Sequence, residues 1–328
     1  MGHGQGDPKK VVVAALLGNA GIALAKFVAA YLSGSATMLA EAVHSVADTA
    51  NQAFLLVGMK LSDKSAPQQY PLGRSKETYF WAFIVSLFLF FMGGVFAVYE
   101  GVHKLTAAPE KPGSQIASLI VLGISLVMEG MSFSVAFREF NKTRGDKSFL
   151  RALFDSRDPT IPVVLLEDTG AVFGLGFAFV AVVVTTITGD ARFDGIGSIA
   201  IGTLLCVIGV ALARDTRSLL IGEGITEEMR VRVLEVAGKA PSVLEVRQLL
   251  SLHLGPDSVL LALKVRFEPE LGLKEVERAI NELEQRIRAE VPQMKKIFVE
   301  PDSEYDESLD PASVHGSRVL FPPGSGTT

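Results

Sequence analysis

Cysteine is nearly absent from the sequence, with Cys206 as the only one in 328 residues. A single cysteine excludes an intramolecular disulfide framework and a metal site built from several thiolates. Positive charge is also scarce, because 31 Lys and Arg residues are outnumbered by 36 Asp and Glu residues and the formal net charge is −5. No basic stripe offsets this balance, which excludes a typical nucleic-acid-binding surface.

Long apolar runs fill the first two thirds of the chain, and a charged, periodic region follows them. A helix needs about 20 residues to cross a bilayer core of about 30 Å, and six runs are long enough. They are residues 11–32, 36–61, 78–102, 114–137, 161–187 and 195–213, the last being short with a Gly-rich start. The first run is too long for the core of a signal peptide and has no convincing cleavage site, so we interpret it as a retained span.

Basic residues flank these runs unevenly. They lie before the first run, between the second and third, between the fourth and fifth, and after the sixth. The opposite joints hold only Lys104, Lys111 and Arg192. Because basic residues concentrate on the cytoplasmic side of a membrane, this asymmetry predicts that both termini are cytoplasmic.

The region after the last run has the pattern of a small folded domain. Helices are predicted at 227–240 and 274–291, and Val- and Leu-rich strands at 243–254, 258–267 and 296–300. The order α-β-β-α-β predicts a two-layer, ferredoxin-like α+β domain with an antiparallel sheet. The chain thus divides into a segment at 1–10, a six-helix membrane domain at 11–221, this domain at 222–302 and a disordered tail at 303–328.

Three ionisable residues share one stripe of the second run. Glu41, His44 and Asp48 are spaced by three and four residues, which places them on one face of a helix. Burying each in hydrocarbon costs at least about 2.5–3.5 kcal/mol, and such residues usually mark an ion pathway, a proton relay or a metal site. The alternative is a structural pair that locks helix packing.

Two adjacent carboxylates, Glu167 and Asp168, lie in the fifth run. Lys26 in the first run is near the predicted outer end, where its side chain can reach water, so a divalent cation is the better counter-charge. Consecutive helical residues are about 100° apart, so we expect one of the two carboxylates to face His44 and Asp48.

Together these features resemble the cation diffusion facilitator family, over residues 10–302. The resemblance is carried by the six runs, the segment His44-Ser-Val-Ala-Asp48, Asp168, the joint Gly73-Arg-Ser-Lys-Glu77 and the C-terminal α+β domain. It implies a homodimer in the lipid bilayer that exports divalent metal cations against protons, with the metal as substrate and no cofactor. It also implies a tetrahedral site with two ligands from each of the second and fifth spans, here His44, Asp48 and Asp168.

One position departs from the family pattern. Many members have a histidine four residues before the last aspartate, where this chain has Val164. Glu167, Glu41 and Asn51 are candidates to complete the site. The sequence is most similar to the branch of the animal mitochondrial zinc exporter, which also lacks that histidine. Because no transit-peptide-like leader is evident, we expect a bacterial relative in the inner membrane.

Several alternatives remain open from the sequence. One His among carboxylates suits manganese, iron or cobalt as well as zinc. An intramembrane metallohydrolase would use the same ligands to activate water, with Glu41 as a poor general base. A metal sensor would need ligands in the C-terminal domain, which has only His253 with Asp257, Glu300 and Asp302 near it. We interpret His253 as a surface or sheet histidine and expect the domain to dimerise without its own metal. Glu129 in the fourth run is either a proton carrier or the counter-ion of an arginine.

Overall fold

The structure is a computed structural model that describes residues 7–33, 36–63, 68–106, 115–190 and 192–302. The chain forms two compact units. The first comprises Met1–Tyr70 and Lys76–Leu220, and the second comprises Pro71–Ser75 and Ile221–Thr328. The predicted tail at 303–328 and residues 1–6 of the predicted N-terminal segment lie outside the described residues.

The first unit, called the membrane unit below, is helical. Its helices are α1 (Pro8–Ser33), α2 (Ala36–Ser62), α3 (Glu77–Phe88), α4 (Phe96–Thr106), α5 (Gln115–Thr143), α6 (Phe149–Phe154), α7 (Thr160–Thr188) and α8 (Arg192–Ile221). A π-helical segment, Leu89–Val95, joins α3 to α4 without a break, so the third predicted run is one continuous span. The six runs therefore match α1, α2, α3–α4, α5, α7 and α8.

These helices have the character of membrane spans. Five described segments are long and apolar enough to cross a bilayer: Pro8–Val28, Glu77–Thr106, Leu119–Thr143, Thr160–Thr188 and Arg192–Ile221. The helix α2 is equally long but is interrupted by polar residues, among them Asp48, Asn51 and Gln52. Large apolar side chains such as Leu17, Ile120 and Phe173 are exposed on the surface of the unit, as expected for a lipid-facing belt.

Contacts between helix ends agree with spans that alternate in direction. Polar contacts join ends that the basic-residue pattern places on one side: Lys10 to Glu139 at 3.6 Å, Lys76 Nζ to the Leu220 carbonyl at 3.2 Å, and the Tyr79 hydroxyl to the Arg157 carbonyl at 3.0 Å. At the opposite ends, Lys104 Nζ lies 2.8 Å from Asp194 Oδ2 and joins the end of α4 to the start of α8.

The last span is not short, in contrast to the prediction. The helix α8 runs for 30 residues and includes the Gly-rich stretch with which the predicted run starts. A Cβ atom at Gly202 would lie 2.6 Å from the Val98 nitrogen, and one at Gly197 would lie 2.6 Å from the Ala181 Cβ. The glycines are therefore part of the helix because neighbouring helices approach too closely for a larger residue.

The second unit is an α+β domain of the predicted, ferredoxin-like class. Its elements are α9 (Glu227–Gly238), β1 (Val243–Gly255), β2 (Ser258–Phe267), α10 (Leu273–Glu290) and β3 (Met294–Pro301). The helix α9 packs on β1 and α10 on β3, and the two helices contact each other, so they form one layer over the sheet. Their apolar faces, including Val233, Leu283 and Ile287, are buried with Leu261 and Leu263 of β2.

The prediction of an antiparallel sheet is wrong for one strand pair. The strands β1 and β2 are antiparallel, whereas β2 and β3 are parallel neighbours in the order β1-β2-β3. The reason is the connection: α10 carries the chain back across the sheet between β2 and β3, and such a crossover joins parallel strands.

Candidate metal centre

Several polar residues of α2 face the interior of the membrane unit. Ser45, Asn51 and Gln52 are 3%, 3% and 0% exposed, and Asp48 is half-buried. Spacings of three and four residues explain why Ser45, Asp48, Asn51 and Gln52 share one side of the helix. Glu41 and His44 also belong to α2, but their side chains lie outside the described residues.

The carboxylate of Glu167 on α7 is held by two consecutive residues of α2. Its Oε1 accepts a hydrogen bond from Asn51 Nδ2 at 3.0 Å, and its Oε2 accepts one from Gln52 Nε2 at 2.6 Å. Glu167 is 5% exposed, so these bonds replace the water that the carboxylate has lost. Both of its oxygens are therefore used to join α7 to α2.

Asp168, the next residue of α7, is directed to a different helix. Its Oδ2 accepts a hydrogen bond of 2.8 Å from the Ser132 hydroxyl on α5, and Asp168 is 1% exposed. The rotation of about 100° between consecutive helical residues separates the two carboxylates, so that Glu167 meets the amides of α2 and Asp168 meets Ser132.

Asp48 is close enough to both Glu167 and Asp168 for its charge to act on them. Glu129 on α5 is 7% exposed and also acts on Glu167. Several acidic groups thus lie near one another between α2, α5 and α7. This region is the one where the sequence predicts a metal.

Lys26 does not behave as expected from the sequence. It was predicted to reach water at the outer end of its span, but it is only 6% exposed. The prediction is wrong because α1 packs against α2, α5 and α7, which leaves Lys26 inside the bundle. Its charge therefore lies within the membrane unit and contributes to the electrostatics of the interior.

A small cavity borders on Asp48. On the α2 side it is lined by Ala47, Asp48 and Asn51, and on the other side by Phe88 and by Leu89, Met92 and Gly93 of the π-helical segment. A π-helical stretch within a helix is frequent at functional sites. The cavity thus lies between Asp48 and the π-helical segment.

Among the side chains that the structure describes, no group of three His, Cys, Asp or Glu residues is arranged to hold a metal ion. The predicted set of His44, Asp48 and Asp168 includes one residue whose side chain is not described. Of the further candidates, Glu167 and Asn51 are hydrogen-bonded to each other beside Asp48.

Two residues of this region were not predicted from the sequence. Gln52 and Ser132 hold Glu167 and Asp168, respectively. The signal that identifies them is a polar residue in an apolar run at helical spacing from an acidic one, since Gln52 is four residues after Asp48 and Ser132 is three after Glu129.

The second unit has no comparable cluster in its described part. His253 is 1% exposed within β1, so it is a buried sheet histidine. Asp257 and Glu300, its proposed partners, are exposed, and none of the described residues of this unit forms a group that could hold a metal.

The chain is similar in sequence to a known protein family and to several known proteins. The model of the cation efflux transmembrane domain matches residues 12–221. A mitochondrial proton-coupled zinc antiporter of Mus musculus is 34% identical over 266 residues, which is 80% of this chain and 46% of that protein. Metal tolerance protein C4 of Arabidopsis thaliana is 30% identical over 321 residues, or 97% of this chain and 68% of that protein.

More distant similarities are also found. Magnetosome protein MamB of a Magnetospira strain is 26% identical over 86% of this chain and 90% of its own length. A solved structure titled "MamM CTD - Copper form" covers 24% of this chain and 76% of its own at 15% identity, with a TM-score of 0.23. The chain spans about half the length (46%) of the mouse relative.

Proposed function

The chain belongs to the cation efflux family, and we propose that within it this protein exports divalent metal cations, with zinc as its main substrate, in exchange for protons. Family membership makes it a multi-pass membrane protein of metal transport and not an enzyme. The intramembrane metallohydrolase considered from the sequence is therefore set aside.

One observation carries the proposal. Asp168 on α7 is buried, and its neighbour Glu167 is hydrogen-bonded to Asn51 and Gln52, in the same stretch of α2 as Asp48. Asp48 and Asp168 are two of the three residues predicted to bind the cation. The mitochondrial relative is described as a proton-coupled zinc antiporter, which supports zinc and proton coupling for this chain. Manganese, iron or cobalt would also suit a site with one imidazole and several oxygen ligands.

The transport cycle follows from the chemistry of these ligands. A cation from the cytoplasm binds His44, Asp48 and Asp168 in their deprotonated forms. Protons from the outer side compete for the same atoms and release the cation. Rocking of the helices exposes the ligands to each side in turn. The hydrogen bonds of Glu167 to α2 and of Asp168 to α5 join the helices that take part in such a motion.

We further propose the location and assembly that the sequence predicts. Both termini are cytoplasmic, in the inner membrane of a bacterial cell, and the domain at 222–302 pairs two copies into a homodimer. The alternating contacts at the helix ends of the membrane unit are consistent with the orientation.

Transport into sealed vesicles tests the function. The purified full chain is reconstituted in liposomes, and zinc uptake is followed with an internal fluorescent indicator while a pH gradient is imposed and then collapsed. We expect uptake that needs the gradient and that is abolished by Asp48→Ala and by Asp168→Ala, with the chain still folded. Asp194→Asn is the matched control, because Asp194 is half-exposed and pairs with Lys104 away from the site.

The result that opposes the proposal is equally clear. Uptake that persists in either aspartate variant would remove the proposed site, and uptake indifferent to the pH gradient would remove proton exchange. Competition by manganese, iron or cobalt in the same assay identifies the preferred cation.

A further inference from the structure

In the side-chain amide of Asn51, the nitrogen makes a hydrogen bond and the oxygen does not. Its Nδ2 donates to Glu167 Oε1 at 3.0 Å, while its Oδ1 is buried and has no hydrogen-bond partner. A buried carbonyl oxygen without a partner costs about 1–3 kcal/mol, so its presence calls for an explanation. A bound cation is one, since amide oxygens are metal ligands.

The position of Asn51 supports this explanation. Asn51 is 3% exposed, and with Asp48, one turn away on the same face of α2, it lines the cavity described above. The amide nitrogen is directed to Glu167 on α7. Because the amide group is planar, its oxygen is on the opposite side from that hydrogen bond. Gln52 also donates to Glu167, and its Oε1 is likewise buried without a hydrogen-bond partner, but Gln52 is not among the described residues that line the cavity.

We infer that Asn51 supplies a neutral oxygen ligand to the cation beside Asp48, and that Glu167 is a positioning residue that orients the amide of Asn51. This inference rests on the proposed function. It assigns the remaining ligand to Asn51, which lines the cavity beside Asp48 and whose Oδ1 has no hydrogen-bond partner. Glu167 is not among the described residues that line the cavity, and it accepts hydrogen bonds from Asn51 and Gln52.

The assignment has a consequence for selectivity. An amide oxygen is a hard ligand that suits manganese and similar ions, whereas a thiolate is soft and favours softer ions. Replacing the ligand atom at position 51 must therefore change which cation is preferred, while replacing a positioning residue lowers the binding of all cations without reordering them.

Cysteine replacement tests this difference. Asn51→Cys, Glu167→Cys and Gln52→Cys are compared in full-length protein in liposomes, and kcat/KM is measured separately for cadmium and manganese uptake. We expect Asn51→Cys to raise the cadmium-to-manganese ratio by about tenfold or more, a change equivalent to about 1.4 kcal/mol. Gln52→Cys is the matched control, since it removes a bond to Glu167 at the neighbouring position, and its ratio should equal that of the wild type.

Metal binding provides a second measurement that does not need transport. Cadmium added to each detergent-purified variant gives an ultraviolet charge-transfer band where a thiolate contacts the ion. We expect the band for Asn51→Cys and none above the wild-type background of Cys206 for the two other variants. A band for Glu167→Cys, or its absence for Asn51→Cys, overturns the assignment.

The positioning role of Glu167 has its own test. Glu167→Gln keeps an oxygen that accepts from Asn51, whereas Glu167→Leu keeps none. We expect KM for manganese to rise more in Glu167→Leu than in Glu167→Gln while kcat changes little, and equal effects would oppose orientation through this hydrogen bond. If the wild-type chain carries neither of these cations nor zinc, the proposed function fails, and the charge-transfer band still shows whether position 51 contacts a bound ion.

Discussion

The hydroxyl of Ser132 donates a 2.8 Å hydrogen bond to Asp168, and this contact joins α5 to α7 in the interior of the membrane unit. Ser132 and Asp168 are 8% and 1% exposed, respectively, so water does not replace the bond if it is lost. A ligand carboxylate depends on such a partner for its orientation. The contact therefore joins α5, which contributes no predicted ligand, to the proposed metal site.

Removing the Ser132 hydroxyl should weaken cation binding. Loss of an outer partner of a ligand typically lowers metal affinity by about 10–100-fold, and we expect Ser132→Ala to raise KM for zinc by roughly tenfold. Ser134→Ala is the matched control, because the Ser134 hydroxyl donates to the Gly130 carbonyl of its own helix at 2.7 Å. A KM in Ser132→Ala equal to that of Ser134→Ala would show that the bond does not orient Asp168.

Cation binding should weaken as the pH falls. A cation binds an imidazole only in its neutral form, and an unperturbed histidine becomes protonated below about pH 6.5. Proton binding to His44 therefore competes with the metal, and zinc affinity should decrease between about pH 8 and about pH 5.5. Calorimetry on the purified chain measures this, with His103→Gln as a control because His103 is exposed. An affinity that stays constant over this interval would exclude competition at His44.

Close packing between spans should make Gly202 intolerant of a methyl group. An alanine Cβ there would lie 2.6 Å from the Val98 nitrogen and 2.7 Å from the Gly94 carbonyl oxygen. Both atoms belong to backbone and cannot move aside, so we expect Gly202→Ala to lower the free energy of unfolding by about 1–3 kcal/mol. Thermal unfolding in detergent measures the loss. Gly123→Ala, whose Cβ would meet nothing within 4 Å, should show none. Equal stability of the two variants would contradict this packing.

The second unit should bind no zinc of its own. The histidine in its described part, His253, is buried in β1, and the acidic residues Asp257 and Glu300 are exposed. In the full chain carrying both Asp48→Ala and Asp168→Ala, we expect calorimetry to show no zinc binding tighter than about 10 μM, a threshold of about −7 kcal/mol. The single variants show how much of any residual binding belongs to the membrane unit. Tight stoichiometric binding in the double variant would make the second unit a sensor.

Much of the fold could be predicted because it depends on local patterns. The apolar runs predicted the spans, and the strand at 258–267 agrees with β2 at both ends. The start of the last run was left uncertain because glycine normally weakens a helix, whereas here Gly195 and Gly197 lie within α8 and allow close packing against other helices. The parallel pairing of β2 and β3 was missed because the predicted order of elements does not by itself specify which strand edges meet.

The candidate site was also predicted from the sequence only in part. Asp48, Glu167 and Asp168 were identified from the sequence because ionisable residues in apolar runs are costly and rare, and this holds whatever their neighbours are. Their partners were decided by tertiary structure. Glu167 meets Asn51 and Gln52 across 116 and 115 residues of sequence, and Asp168 meets Ser132 across 36. Helical periodicity specifies which residues share a face, but the rotation of each helix against its neighbours is set by side-chain packing between helices. That packing alone determines which carboxylate faces which partner.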